Sequence, residues 1–141
     1  MIGFIPGLPS TTAALDAERT RLEVISQNIA NANTTRGLDG KPYQRQQVVF
    51  ETALQSARRA GALVDAQPQV SRIQKDTRPG RAIHQPGHPD ADANGMVVLP
   101  NVNLYEEMAD MIAASRTYEA NVAAFKNGRA MAMQALSIGK H

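Results

Sequence analysis

The sequence contains no cysteine and no tryptophan in 141 residues, and aromatic residues make up only 4% of it. Without cysteine the chain can form no disulfide, no cysteine-based zinc site and no thiol nucleophile. So few aromatic side chains restrict the core to small and aliphatic residues, which bury less surface per side chain. We therefore expect a thin aliphatic core, stabilised by packing between elements rather than by covalent cross-links.

An excess of charge of one sign and long apolar runs are also lacking. The 15 basic residues are nearly balanced by 13 acidic ones, and a net charge of +2 is not the dense positive field that nucleic-acid binding requires. The apolar run at residues 96–99 is far too short to cross a membrane. The first residues have neither the positive charge nor the long apolar stretch of a cleaved signal peptide. We expect no nucleic-acid partner, no membrane insertion and no cleaved signal.

The N-terminal part of the sequence predicts a long helix. After Pro9 no proline or glycine interrupts the chain as far as Asn33, and Ser10 or Thr11 can cap the first turn. Residues then recur at alternating steps of three and four, which is the spacing of a coiled-coil seam. This N-terminal seam consists of Leu15, Glu18, Leu22, Ile25, Ile29 and Ala32.

A second, longer helix is predicted from Asn103 to the C-terminal end. Asn103 and Glu106 form a capping-box-like pair, and acidic residues in the first turns suit the positive end of the helix dipole. At about 1.5 Å per residue this helix would span roughly 50 Å, so part of it would lack a helical partner within one molecule. Its seam comprises Leu104, Met108, Met111, Ser115, Tyr118, Val122, Phe125, Arg129, Ala132 and Leu136.

Two explanations fit these seams. An ordinary two-helix hairpin would bury both seams in one domain, whereas an assembly subunit would leave part of them for a partner. The polar seam positions Glu18, Ser115 and Arg129 favour the second explanation, because polar groups in a seam set the register of helical assemblies. The sequence therefore indicates an assembly surface on the terminal helices.

The middle of the chain has a different character, since residues 37–100 hold six of the eight prolines. This composition excludes a long helix and predicts turns with short strands at residues 44–50, 70–73 and 96–99, and one short helix within 51–60. The fold class is therefore mainly α with a small strand-and-loop middle. We divide the chain into an N-terminal helix at 1–36, a strand-and-loop segment at 37–100 and a C-terminal helix at 101–141.

The loop at residues 84–95 is where chemistry could reside. Its DADANG run matches the first half of a calcium-binding loop, but Asn101 occupies the position of the bidentate glutamate, so we predict an Asx turn instead. His84 and His88 lie near two aspartates, yet the intervening prolines break any helix that would align the imidazoles. We predict no catalytic residue, no metal and no cofactor, and a metal-dependent enzyme centred on this loop is the least favoured alternative.

The motifs resemble a known family. The run SQNIANANTT at residues 26–35 is similar to the N-terminal signature of the flagellar axial proteins, which are the rod, hook and hook-associated subunits. Five further runs resemble the short proximal rod subunits of that family: KPYQRQ at 41–46, PGHPDADANG at 86–95, PNVN at 100–103, EEM at 106–108 and ASRTYEAN at 114–121. The chain departs from the family where His84 and Met96 replace the usual aromatic residues.

The resemblance implies a non-catalytic subunit of the flagellar basal body. Such a subunit would leave the cell unfolded through the flagellar type III export apparatus, without cleavage, and polymerise in the periplasm into the rod that transmits motor torque to the hook. Its partners would be copies of itself, other rod proteins and, at the base, the MS-ring and export-gate adaptor components. The terminal helices would form the inner tube as a coiled coil. A small helical adaptor that clamps one partner without polymerising is the alternative.

Three groups of residues are predicted to carry this function. On the N-terminal helix the assembly interface comprises Leu15, Leu22, Ile25, Asn28, Ile29, Asn31 and Asn33. On the C-terminal helix it comprises Leu104, Met108, Met111, Ser115, Arg116, Tyr118, Asn121, Val122, Phe125 and Leu136. The rod-specific loop comprises His88, Pro89, Asp90, Asp92, Gly95, Pro100 and Asn101.

Overall fold

The computed structural model describes residues 8–52 and 68–138. Within them the chain forms two helices and four strands: α1 Leu8–Ala30, β1 Gln46–Thr52, β2 Pro68–Lys75, β3 Arg81–His84, β4 Met96–Leu99 and α2 Leu104–Ile138. The fold class predicted from the sequence is confirmed at this level, with two terminal helices flanking a small β middle. Most of the short helix predicted within 51–60 lies outside the described residues.

The two helices pack against each other in antiparallel orientation. Asn28 near the end of α1 contacts Glu107 at the start of α2, and Arg21, two turns earlier in α1, lies 3.8 Å from Asp110 further along α2. The apolar core is small, as the composition predicted: Ala17, Val24, Ile25, Val97 and Ala114 are its buried members among the described residues. One or two residues per helical turn therefore hold the pair together.

The helix ends follow the capping chemistry only in part. α2 begins as predicted, because the Asn103 side chain accepts a hydrogen bond from the Tyr105 amide at 3.1 Å and donates one to Glu106 at 3.2 Å. α1 begins at Leu8, before the predicted caps, with Pro9 in the first turn, where its missing N–H costs nothing. It ends at Ala30 rather than Asn33, because residues 31–33 form a turn.

The helices differ in length. α1 has 23 residues and α2 has 35, which at about 1.5 Å per residue gives roughly 34 and 52 Å. The last third of α2 therefore extends past the start of α1 by roughly 18 Å, counted over the described residues. Neither of these helices has the length and apolar character needed to span a membrane.

The β middle consists of two antiparallel ribbons. β1 pairs with β2 from Gln46↔Lys75 to Thr52↔Pro68, with an irregularity between Val49 and Phe50, and this ribbon packs on α1. β3 pairs with β4 from Arg81↔Leu99 to His84↔Met96. The sequence analysis missed β3, because its arginine and histidine ends lack the apolar alternation of a half-buried strand. Pairing with the more apolar β4 determines its conformation instead.

Candidate functional site

The side chain of Asn28 is the centre of a buried polar cluster. Its exposed fraction is 1%, and its amide group makes four hydrogen bonds. The amide nitrogen donates to the Gln46 carbonyl at 2.8 Å and to Glu107 Oε2 at 3.0 Å. The amide oxygen accepts from the Tyr43 hydroxyl and from the Gln46 amide, both at 2.9 Å. A primary amide has two donor and two acceptor positions, so Asn28 is fully satisfied within one chain.

Glu107 is the acidic member of this cluster and is fully buried. Its second oxygen accepts a hydrogen bond from Arg45 Nε, so the carboxylate is held between an arginine and the Asn28 amide. Arg45 also places Nη2 3.4 Å from Asp110 and Nη1 3.9 Å from Asp76. A buried charge is tolerated when it is paired and hydrogen-bonded, and both conditions hold here.

Two further side chains connect the cluster to the strands. Asp76, just past β2, accepts hydrogen bonds from the Arg78 amide at 2.9 Å and its Nε at 2.8 Å, and these bonds hold the pKa of the aspartate below its usual value. Asn101, just before α2, accepts from the Arg45 amide at 2.7 Å and donates to the Arg78 carbonyl at 2.9 Å. Loops that leave different strands are thus joined to both helices.

We name this cluster the polar junction; it consists of Asn28, Tyr43, Arg45, Asp76, Asn101 and Glu107. Burial raises the pKa of the Tyr43 hydroxyl, and the charge of Glu107 acts in the same direction, so the hydroxyl keeps the proton that it donates to Asn28. The junction joins four segments that are far apart in sequence. It therefore fixes the orientation of the helix pair relative to the β middle.

The NIANANTT run does more than end α1. Asn31 donates a hydrogen bond back to the Gln27 carbonyl at 2.8 Å and accepts one from the Thr34 hydroxyl at 3.2 Å, which shapes the turn. Thr35 then donates to Asp90 of the rod-specific loop at 2.7 Å, and Arg36 lies 3.6 Å from the same carboxylate. Two motifs that lie 55 residues apart are therefore in direct contact.

The rod-specific loop is an Asx turn, which confirms that prediction. Asp92 Oδ1 accepts hydrogen bonds from the Asn94 and Met96 amides at 2.8 and 2.9 Å. Gly95 has a φ of +72°, and a β-carbon there would lie 3.0 Å from Pro86, so both backbone conformation and space require glycine. No cluster of three or more potential metal ligands occurs among the described residues.

The remaining predicted interface residues of the N-terminal part divide by exposure. Ile25 is buried, whereas Leu15, Leu22 and Ile29 are half-buried and Asn33 is exposed. The structure places Asn28 inside the chain, where every hydrogen bond of its side chain is intramolecular, and so gives it a role different from the intermolecular contact predicted for it. Glu18 Oε2 is buried and accepts no hydrogen bond from the described residues; Arg21 is 3.9 Å away.

On α2 the covered face is rotated from the predicted seam near the start of the helix. Glu107 and Ala114 are the buried positions, whereas the neighbouring seam residues Leu104 and Met108 are 44% and 51% exposed. Further along, the predicted residues Met111, Ser115, Tyr118, Asn121, Val122 and Phe125 are half-buried. Arg116 and Leu136 are exposed. The buried carboxylate of Glu107 takes the central position because Arg45 and Asn28 both contact it from that side.

The loop residues also differ in exposure. Gly95 and Pro100 are buried; His88, Asp90 and Asn101 are half-buried; Pro89 and Asp92 are exposed. Sequence reasoning missed Tyr43, Arg45 and Glu107 as members of the polar junction. The local signal available for Glu107 was its position at a helix N-terminus, which the helix dipole alone explains.

Comparison with known proteins identifies the same two ends. The family model described as flagella basal body rod protein matches residues 10–36, and the one described as flagellar basal body rod FlgEFG protein C-terminal matches residues 93–138. The flagellar basal-body rod protein FlgC of Borreliella burgdorferi is 38% identical, over 97% of this chain and 98% of its own length. The FlgC proteins of Yersinia enterocolitica and Bacillus subtilis are 40% and 37% identical, each over more than nine-tenths of both chains.

Proposed function

This chain belongs to the FlgC family of flagellar basal-body rod proteins, and we propose that it polymerises through its terminal helices as a subunit of the proximal rod. Membership of this family makes it a structural rod protein rather than an enzyme. In the rod its task is mechanical, because the rod is the shaft that carries motor torque to the hook. No observation favours the adaptor alternative.

The division of labour along the chain is part of the proposal. Residues 1–36 and 101–141 supply the rod core, in which helices of neighbouring subunits pack as a coiled coil. Residues 37–100 form the β middle that surrounds the core. The difference in length between α1 and α2 supports this arrangement, because a helix that extends past its internal partner can complete its packing only on another subunit.

Location and partners follow from the same proposal. The rod crosses the periplasm, so we propose that the chain is exported unfolded by the flagellar type III apparatus and keeps its encoded N-terminus. Its neighbours are then copies of itself and other rod proteins, with the MS-ring and export-gate adaptor components at the base. The lack of cysteine is compatible with an oxidising compartment.

The single observation that carries the proposal is the similarity to FlgC proteins over nearly the whole chain. The relative from Borreliella burgdorferi matches over 97% of this chain, so the similarity includes both helices and the rod-specific loop. The contact between Thr35 and Asp90 adds support, because it joins the general axial motif to the loop that is particular to the short rod subunits.

A truncation tests assembly through the helix ends. In bacteria that lack the native gene, the full chain is expected to restore swimming and to be present in purified basal bodies. A variant that ends at Gly128 keeps the polar junction and most of the face of α2 that opposes α1, so its circular dichroism and thermal unfolding should change little. It should nevertheless be absent from basal bodies. Swimming cells with the truncated chain would contradict assembly through these helices, and a full chain absent from basal bodies would contradict the rod function itself.

A further inference from the structure

Two clusters of exposed apolar side chains lie at opposite ends of α2. The start cluster consists of Leu104, Tyr105, Met108 and Ile112, which are 44 to 84% exposed. The end cluster consists of Met131, Met133, Leu136 and Ile138, which are 60 to 75% exposed. Between them the large apolar residues Tyr118, Val122 and Phe125 are half-buried against the rest of the chain. The exposed apolar surface of α2 is therefore concentrated at its two ends.

We propose that the end cluster of one copy packs on the start cluster of a second copy, so that α2 helices join head to tail. This inference rests on the proposed function and adds to it a specific pair of surfaces. Exposed apolar groups of this number on one element are unusual for a surface that stays in water. Each cluster offers the other the apolar surface that it lacks within its own chain.

The two clusters match in extent. The start cluster spans residues 104–112 and the end cluster residues 131–138, so each covers about two helical turns, or roughly 10 to 12 Å along the axis. The end cluster lies in the part of α2 that extends past α1, so it can reach a second copy without disturbing the helix pair. Its two methionines adapt readily to the shape of an opposing surface.

The charges beside the clusters are complementary. The first turns of α2 carry Glu106, Glu107 and Asp110, and the last two of these already contact arginines of their own chain. Glu106 is exposed and beside the start cluster, whereas Lys126 and Arg129 precede the end cluster and are exposed as well. The negative end of one helix dipole would also approach the positive end of the next. A start-to-start contact would instead oppose like charges and like dipole ends.

The geometry of such a contact decides what it can build. The two surfaces are different, so the contact is heterologous, and repeating it gives an open chain of subunits unless the rotation closes a ring. A symmetric dimer would require the same surface on both copies. A head-to-tail contact therefore fits a subunit that polymerises, and the second copy is the occupant to which we commit.

Engineered cysteines test the contact without background, because the natural chain has none. Tyr105→Cys and Leu136→Cys are made in separate full-length chains, one of which carries a size tag, and the two are mixed and oxidised gently. We expect about tenfold more tagged–untagged cross-linked dimer than in the control, which corresponds to a contact favoured by about 1.4 kcal/mol. The control pairs Leu136→Cys with Glu119→Cys, an exposed position at the middle of the same helix.

Two outcomes would overturn the inference: equal cross-linking with the control, or a Tyr105→Cys chain that links as well to itself as to the Leu136→Cys chain. The doubly substituted chain extends the test to assembled rods, where head-to-tail contacts should give a ladder of multimers on a non-reducing gel. If that chain enters basal bodies and restores swimming but gives no ladder, the contact is wrong and the proposed function stands. If the unmodified chain itself does not enter basal bodies, the function is wrong.

Discussion

The polar junction and the end of α2 solve opposite problems with neighbouring parts of one helix pair. In the junction, charged and polar side chains are buried and bonded to each other, as with Glu107 between Arg45 and Asn28. At the end of α2, apolar side chains are exposed, as with Ile138 at 75%. The junction is complete within one chain, and the helix end is not.

This difference separates what holds the subunit together from what joins subunits. A buried ion pair contributes little net stability compared with apolar packing, but it specifies one arrangement, because every misaligned alternative leaves a charge unpaired. Apolar helix ends specify little and bind well. We therefore expect substitutions in the junction to alter folding, and substitutions at the end of α2 to alter assembly while the fold persists.

The largest expected effect is that of Glu107→Ala. Removal of this carboxylate leaves the buried Arg45 guanidinium and the Asn28 amide without their shared partner, and an uncompensated buried charge costs about 3 to 5 kcal/mol. We expect the free energy of unfolding in urea to fall by that amount. Glu106→Ala, one residue earlier and exposed, is the matched control and should cost no more than about 0.5 kcal/mol. Equal effects of the two substitutions would contradict the central place of Glu107.

A smaller effect is expected from Asn28→Ala, which tests the boundary between folding and assembly. The substitution leaves the Tyr43 hydroxyl and the Gln46 backbone groups without a partner, so we expect a loss of about 2 to 3 kcal/mol in the free energy of unfolding. Asn33→Ala, five residues on and exposed, should change stability by less than about 0.5 kcal/mol.

The two asparagines differ in the second readout. Asn33→Ala should still reduce incorporation into basal bodies if Asn33 contacts a neighbouring subunit, as the sequence predicts. An Asn28→Ala chain as stable as the natural one would show that the amide network does not support the fold.

Much of this fold could be predicted from the sequence because its signals are local. The three- and four-residue spacing indicated both helices, Asn103 indicated the start of α2, and the DADANG run indicated an Asx turn. Each of these depends on residues a few positions apart. The resemblance to axial proteins likewise depends on contiguous motifs, and the comparisons bear it out.

The polar junction could not be predicted, because it depends on long-range contacts. Arg45 and Glu107 are 62 residues apart, and Asn28 and Glu107 are 79 apart. A lone glutamate in a helical first turn is expected at the surface, so the pattern favoured Met108 for the inward face. Similarly, β3 takes its conformation from β4 rather than from its own residues. Once a polar partner is present, it outweighs local apolar periodicity in deciding which face of a helix turns inward.

The smallest expected effect belongs to Asp76 and appears only in acid. Hydrogen bonds from Arg78 lower the pKa of Asp76 below the 3.8 of the unfolded chain. A carboxyl group whose pKa is lowered by folding stabilises the native state above its unfolded pKa, and that contribution disappears as the pH falls through the folded pKa. The free energy of unfolding should therefore decline below about pH 4, and less steeply in Asp76→Asn. Asp92→Asn, in the exposed Asx turn, is the control, and an Asp76→Asn chain with the natural pH profile would remove Asp76 as the acid-sensitive member of the junction.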